Sequence, residues 1–234
     1  MLARLGLRRA TDGAADPARL AAVGGAVRAR LLADPRAIPR GGADADLFAL
    51  PGFVPDERCE ELIALIESEA TASTLFDDGN AAPDTRTSST HYFRDHPLAR
   101  RLATEIDATL GLERGHAEPL QGQRYRTGEQ YRHHSDHFRL ERAHWQRERL
   151  RGGQRSWTAM LYLNSVEAGG ETDFPKLGLA VRPERGLLLA WNNMDRGGRP
   201  NPRLLHAGLP VARGVKYVIT QWYRVEPWLG LPPC

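Results

Sequence analysis

From about residue 119 almost to its end, this chain reads as strand-length segments separated by turn residues, and that pattern limits the folds open to it. The segments are Leu120–Arg126, Tyr131–Phe138, Ser156–Asn164, Leu177–Pro183, Gly186–Asn193, Leu204–Val211 and Val215–Val225. Helical patterns come first. Pro17 to Asp34 carries Leu20, Val23, Val27 and Leu31 at helical spacing. Glu57 to Ser68, with Asp56 as its cap, sets Leu62, Ile63 and Ile66 on one side. Pro97 to Leu110 repeats Leu98, Leu102, Ile106 and Leu110 at four-residue intervals. Helices first and then a run of strands predict a mainly β, α+β fold, an antiparallel sandwich or barrel buttressed by helices, with its β core at about 119–225.

The organisation follows from the same reading. Residues 1–46 are low in aromatics and rich in Ala, Arg and Gly, and they read as an N-terminal helical extension ending in the linker Ala37–Ala45. That helix either packs on the domain or serves a partner. Residues 47–234 form the main domain, opening with a short strand that runs from Leu47 into a turn at Phe53. Thr71 to Thr90 is polar and turn-rich, a loop. The 234 residues suit one compact domain with a short extension, and no stretch approaches a membrane span. The start of the chain has no apolar signal-peptide core, and Cys59 and Cys234 stand outside any metal or redox spacing, so a reduced, cytoplasmic setting is expected. Cys59 reads as a small core residue.

Against this background a metal constellation stands out. In His134-Ser135-Asp136 a nitrogen and an oxygen ligand lie two residues apart, on one face of a strand. Such a triplet arises by chance roughly 0.5 times in a chain of this composition, so it needs company. His206 supplies it from another strand-like segment. Two histidines and one carboxylate leave open positions on an octahedral iron, whereas closed zinc sites use four N/S ligands. His133 and His137 fall on the opposite face and read as non-ligands; His91, His96, His116 and His144 read as surface or loop residues.

Lys216 adds a second constellation. It is one of only two lysines, with Lys176, among 32 basic residues, an arginine bias of the kind a GC-rich bacterial genome produces. It opens the run Lys216–Arg224, where Lys216, Thr220 and Trp222 share one interior face. A buried ammonium needs an anion. The far carboxylate of 2-oxoglutarate meets that need, with phenol donors from Tyr125 and Tyr162. The plainer reading is a lysine at a strand end on the surface; the offset of ten residues from His206 favours the first.

The run from Tyr125 through Gly128, Tyr131, His134 and Asp136 to Phe138 resembles the prolyl 4-hydroxylase branch of the Fe(II)- and 2-oxoglutarate-dependent dioxygenases. So do Arg155-x-x-Thr158, Tyr162-Leu163-Asn164, Gly169-Gly170-Glu171-Thr172-x-Phe174-Pro175 and the stretch from His206 to Lys216, in order over about residues 47–225. The resemblance implies a double-stranded β-helix, or jelly-roll, core, with iron on His134, Asp136 and His206. It implies that Lys216 binds the co-substrate carboxylate, assisted by Tyr125, Tyr162 and Thr220, and that Arg155 and Trp222 lie near the prime substrate. It also implies Fe(2+), 2-oxoglutarate and O2 as cofactor and co-substrates, L-ascorbate as a reductant, and hydroxylation of peptidyl proline or a related residue. Asp136 favours hydroxylation, since halogenating relatives replace this carboxylate. Gly169, Gly170 and Glu171 read as a turn, and Gly186 as another.

The segment Phe138–Arg155 departs from the pattern. Arg139, Arg142, Arg147, Arg149, Arg151 and Arg155 oppose Glu141 and Glu148, with Trp145 among them. The plainer reading is a solvated helix or loop; the functional one is a basic lid that selects an acidic substrate or partner. A net charge of +3 and no array of stacking aromatics disfavour nucleic acid. Collagen is disfavoured as substrate because the chain lacks added recognition modules. Three alternatives stay open: a free amino acid or small-metabolite hydroxylase, a nucleobase demethylase, and a catalytically silent jelly-roll binding module. The oligomeric state has no sequence signal.

Overall fold

The structure is a computed structural model that describes residues 14–69, 71–72, 85–93 and 95–229. Helix α1 (Pro17–Ala33) leads into strands β1 (Ile38–Pro39) and β2 (Leu47–Leu50), then α2 (Asp56–Glu69), β3 (Thr71–Ala72), β4 (Ser89–Tyr92) and α3 (Pro97–Leu110). Beyond them run β5 (Gln121–Tyr125), β6 (Tyr131–His134), the short helix α4 (Trp145–Glu148), β7 (Arg155–Tyr162), β8 (Ala168–Gly169), β9 (Thr172–Phe174) and β10 (Leu179–Val181). The chain continues through β11 (Leu188–Asn192), β12 (His206–Gly208), β13 (Val211–Arg213) and β14 (Lys216–Arg224).

Local chemistry sets the helix ends. Asp16 accepts the amide of Ala18 and Pro17 opens α1, a pairing that suits a helix start. His96 caps α3 through Nδ1, Pro97 follows, and Gly111 ends the helix with φ 69°, a left-handed turn that glycine takes without strain. On α2, Cys59, Leu62 and Ile66 are fully buried.

The strands form an eight-stranded sheet in the order β1-β2-β11-β7-β14-β5-β4-β3 and a four-stranded sheet in the order β10-β9-β12-β6, with β13 paired to β8. The ladders within each sheet are antiparallel. Apolar side chains at the centre of the large sheet divide by parity. Phe48, Leu50, Trp157, Ala159, Leu161, Leu188, Ala190 and Ile219 join residues of α1, α2 and α3 in one core. Leu47, Ala49, Tyr162, Leu189, Trp191 and Val218 turn the other way and meet Phe174 and Val181 of the small sheet in a second. Central strands buried on both faces read as continuous apolar runs. Gly122 lets α2 cross β5 closely: a Cβ there would lie 2.5 Å from Ile66.

The result is the expected fold class, an antiparallel jelly roll with flanking helices. Several expectations change in detail. The strand expected over Tyr131–Phe138 ends at His134, and Leu204–Val211 divides into a 3-10 turn, β12 and the start of β13. Strands β8 and β9 flank the Gly170–Glu171 turn. The segment Thr71–Thr90, read as a loop, contains β3 and the start of β4, while 73–84 lie outside the described residues. Part of the linker is β1, paired to β2. His91, expected at the surface, is buried in β4 with its ring edge-on to Phe93. The solvated reading of Phe138–Arg155 also gives way. Trp145, Glu148 and Arg155 are buried there, and Gln154 closes the base of the excursion by bonding both the amide (2.6 Å) and the carbonyl (2.8 Å) of Phe138. No described helix is long and apolar enough to cross a membrane.

Candidate metal centre and co-substrate pocket

Strands β6 and β12 pair with His134 directly opposite His206, which places both imidazoles on one face of the small sheet. Asp136 lies just past the end of β6, where the chain bends and buries the carboxylate beneath them. The ligand atoms of the three side chains all fall within 4.8 Å of one another. His134 Nε2 stands 3.8 Å from Asp136 Oδ1, and His206 Nε2 stands 3.9 Å from Oδ2.

The backbone sets the ring orientation. His134 Nδ1 lies 2.8 Å from the carbonyl of Arg132, and His206 Nδ1 lies 2.9 Å from that of Leu204. A carbonyl only accepts, so each Nδ1 carries a proton and Nε2 is the ring atom that each imidazole turns toward Asp136. Burial, with the neighbouring His206, pushes the His134 pKa down to about 3, so this imidazole is neutral at ordinary pH. Burial opposes charge on Asp136, but His206, His134, Arg155 and a hydrogen bond from Thr158 outweigh it and hold its pKa below the usual carboxylate value. Thr158 Oγ1 donates to Asp136 Oδ2 at 2.7 Å and accepts from Asn193 Nδ2 at 3.0 Å. Two imidazoles and one oriented carboxylate fit a divalent iron with open positions. His133 instead faces Asp173 at 3.0 Å, and His137 lies outside the cluster.

A cleft of about 450 Å³ opens above the triad. Lys216, Val218, Thr220 and Trp222 line it, the even-numbered face of β14 expected from the sequence. Lys216 is 2% exposed; its Nζ donates to the carbonyl of Gly170 at 2.9 Å and stands 4.5 Å above the ring of Tyr125. Burial pushes its pKa down to about 8, against an opposing pull from Glu171. Among the described residues it has no ion-pair partner. Gly208 keeps the space in front of it clear, since a Cβ there would lie 3.2 Å from Nζ.

The other expected site residues fall in different places. Tyr125 lines the cleft. The hydroxyl of Tyr162 is engaged elsewhere, 2.5 Å from Thr172 Oγ1 and 3.3 Å from the Val181 carbonyl, so it supports the wall residue Thr172 from behind. Thr220 donates to Gln123 Oε1 at 3.0 Å. Trp222 forms wall with its indole N–H unpartnered among the described residues, and Arg155 stands behind it with Cζ 4.2 Å from the ring. Sequence reasoning passed over Gln123, Arg86 and Met160, which also line the cleft. Gln123 had a signal, because it sits two residues before Tyr125 and so shares its face. Arg86 had none, since it bonds Ser88 and Thr90 from a stretch read as a loop.

Fold and site together define a non-haem iron oxygenase. The sequence profile of the 2OG-Fe(II) oxygenase superfamily matches residues 120–224. Prolyl 4-hydroxylase 2 of Arabidopsis thaliana is 31% identical over 205 residues, spanning 76% of this chain and 67% of that protein. The 2-oxoglutarate complex of the viral collagen prolyl hydroxylase from Paramecium bursaria Chlorella virus-1 superposes with a TM-score of 0.58 at 28% identity, over 76% of this chain and 95% of that one. A Trichoplax adhaerens prolyl hydroxylase, solved with a hypoxia inducible factor peptide fragment, shares the fold with a TM-score of 0.60 at 17% identity, over 88% of this chain and 91% of that one. The chain belongs to the Fe(II)- and 2-oxoglutarate-dependent oxygenases, in their prolyl 4-hydroxylase-like branch, and it is an enzyme.

Proposed function

We propose that this protein hydroxylates a prolyl or related residue of a polypeptide, with His134, Asp136 and His206 holding the iron and Lys216 binding the far carboxylate of 2-oxoglutarate. The single observation that carries the reading is Lys216: a buried ammonium without an acidic partner among the described residues, in the same cleft as the triad. A cation held this way favours a dianionic co-substrate, because the incoming carboxylate restores the charge balance that burial withholds. Tyr125 flanks that ammonium, and Thr220 and Gln123 add polar groups to the same wall. Iron and 2-oxoglutarate, when bound, supply the oxidising chemistry: decarboxylation to succinate and CO2, with one oxygen atom of O2 entering a substrate C–H bond. The chain's own part is to fix ligand tautomers through the Arg132 and Leu204 carbonyls, to orient Asp136 through Thr158, and to shield the cleft with Trp191, Trp222 and Met160. L-Ascorbate as a reductant follows from the resemblance.

The viral relative bears on one earlier expectation. It is named a collagen prolyl hydroxylase, and this chain covers 95% of it. The ground for disfavouring collagen-like sequences therefore falls away, and they belong in the substrate panel. The test is succinate formation by the iron-loaded protein against prolyl peptides, free amino acids and nucleic acids, with mass spectrometry for a gain of one oxygen. Stimulation by amino acids or nucleic acids alone rejects the polypeptide reading. Iron-dependent turnover absent under every condition rejects the enzyme and favours a silent binding module.

A further inference from the structure

A cluster of four buried charged side chains lies behind Trp222, outside the metal centre. Glu118, Glu148, Arg155 and Arg224 are 3%, 0%, 6% and 1% exposed, so each depends on its neighbours for charge balance. Glu118 Oε1 accepts from Arg155 Nε at 2.6 Å and from Arg224 Nε at 2.5 Å, and its Oε2 accepts from Arg155 Nη2 at 2.8 Å. The far end of Arg224 donates through Nη2 to Glu148 Oε2 at 2.6 Å and through Nη1 to the Gly153 carbonyl at 2.6 Å. Glu148 also receives Arg147 at 3.1 Å and faces Arg151 at 3.7 Å. The order is Glu148–Arg224–Glu118–Arg155, alternating in sign, and its last member lies 4.2 Å from the Trp222 ring centroid and 5.0 Å from that of Phe138.

We propose that Glu148 is a positioning residue for the prime substrate: through Arg224 and Glu118 it fixes where Arg155 stands behind Trp222, and so where Trp222 stands in the cleft wall. The inference rests on the proposed polypeptide hydroxylase and names a part of this chain that shapes its substrate side. Two guanidiniums compete for the one oxygen Oε1 of Glu118. Glu148 draws Arg224 toward the excursion and leaves Arg155 its bidentate hold. With Glu148 neutral, Arg224 turns more fully on Glu118, and Arg155 shifts behind Trp222. Lys216 lies at the other end of β14, eight residues away, so the co-substrate end is untouched.

The test uses full-length, iron-loaded protein and a proline-containing peptide that stimulates the wild type. It compares Glu148→Gln with the charge-balanced double variant Glu148→Gln/Arg224→Gln. Readouts are peptide KM, 2-oxoglutarate KM and the ratio of succinate to hydroxylated product. Glu148→Gln should raise peptide KM about tenfold and raise the succinate ratio, with 2-oxoglutarate KM within about twofold of wild type. The double variant should recover most of that loss, because Glu118 then serves Arg155 alone. Wild-type peptide KM and coupling in Glu148→Gln, an equal rise in both KM values, or a double variant no better than the single one overturns the proposal. Should Glu148→Gln not fold, Glu148→Asp keeps the charge on a shorter arm and should raise peptide KM about threefold; a wild-type value there overturns the proposal equally. A wild type that no peptide stimulates ends the substrate reading and this inference together, whereas a stimulated wild type with indifferent variants ends the inference alone.

Discussion

Along β7 and β14 the two faces of one sheet live in opposite environments. Trp157, Ala159, Leu161, Ile219 and Tyr223 press against the helices in an apolar layer. One residue along in either direction, Thr158, Met160, Lys216, Thr220 and Trp222 face the interior with hydroxyls, an ammonium and an indole N–H. A rise of about 3.3 Å per residue thus separates side chains that stabilise the fold from side chains that handle ligands. The helix-facing layer is almost wholly apolar: Tyr223 donates its hydroxyl to Asp107 at 2.6 Å, and the Trp157 indole N–H is the one polar atom of these five side chains without a partner among the described residues. The interior instead holds an ammonium, Lys216, with no acidic partner among the described residues, beside the unpartnered indole N–H of Trp222.

The largest separation should come from Asp136→Ala set against Leu161→Ala. Asp136→Ala should abolish iron binding and 2-oxoglutarate turnover while the melting temperature of the metal-free protein stays near wild type. Leu161→Ala should do the reverse, lowering stability by about 2–5 kcal/mol with 2-oxoglutarate KM unchanged. Iron titration and denaturant melts read the two effects, and an Asp136→Ala protein as unstable as Leu161→Ala breaks the division. Next in size, Lys216→Ala removes a charged hydrogen bond of roughly 1.5–3 kcal/mol, so 2-oxoglutarate KM should rise about 10- to 150-fold. A wild-type KM in that variant rejects the co-substrate role.

How much of this was legible beforehand depends on whether the information is local. Period two is local, and it placed Lys216, Thr220 and Trp222 on one interior face from the sequence alone. The same rule assigned Asp136 to the strand of His134, but the strand ends at His134 and a bend brings the carboxylate back. The cross-strand register that sets His134 opposite His206 is a long-range pairing of backbones, and no residue near either histidine encodes it. The excursion after Phe138 was misread for a related reason. Its acid Glu148 pairs with the local Arg147 and Arg151 but also with the fully buried Arg224, 76 residues away, and a local charge count sees only a solvated basic run where the fold has a buried ion pair. Tyr162 sits on the expected strand and points inward, but its hydroxyl finds Thr172 first.

A smaller test compares neighbours on β7. Thr158→Val keeps shape and removes only the hydroxyl that donates to Asp136. Supports of this kind change metal affinity by about 10- to 100-fold, and the lower end is expected here because two histidines keep their backbone anchors. Iron titration measures it; an unchanged affinity makes Thr158 a packing residue like Trp157 and blurs the line between the faces.

The mildest effect is a pH dependence with a sign that distinguishes the interior from general alkaline damage. Burial lowers the Lys216 pKa from 10.5 to about 8. The protonated ammonium is the form that binds a carboxylate, so 2-oxoglutarate KM should begin to rise as pH passes 8, by about tenfold between pH 7 and pH 9. Stability should respond the other way. Between pH 8 and the unfolded pKa of Lys216 the unfolded chain binds more protons than the folded one, so this group makes the metal-free protein more stable as pH increases. Falling affinity with constant or rising stability is therefore the expected pair, and Lys216→Ala should remove both trends together. A KM that rises only where the protein also begins to unfold assigns the pH effect to the helix-facing layer and detaches it from the cleft.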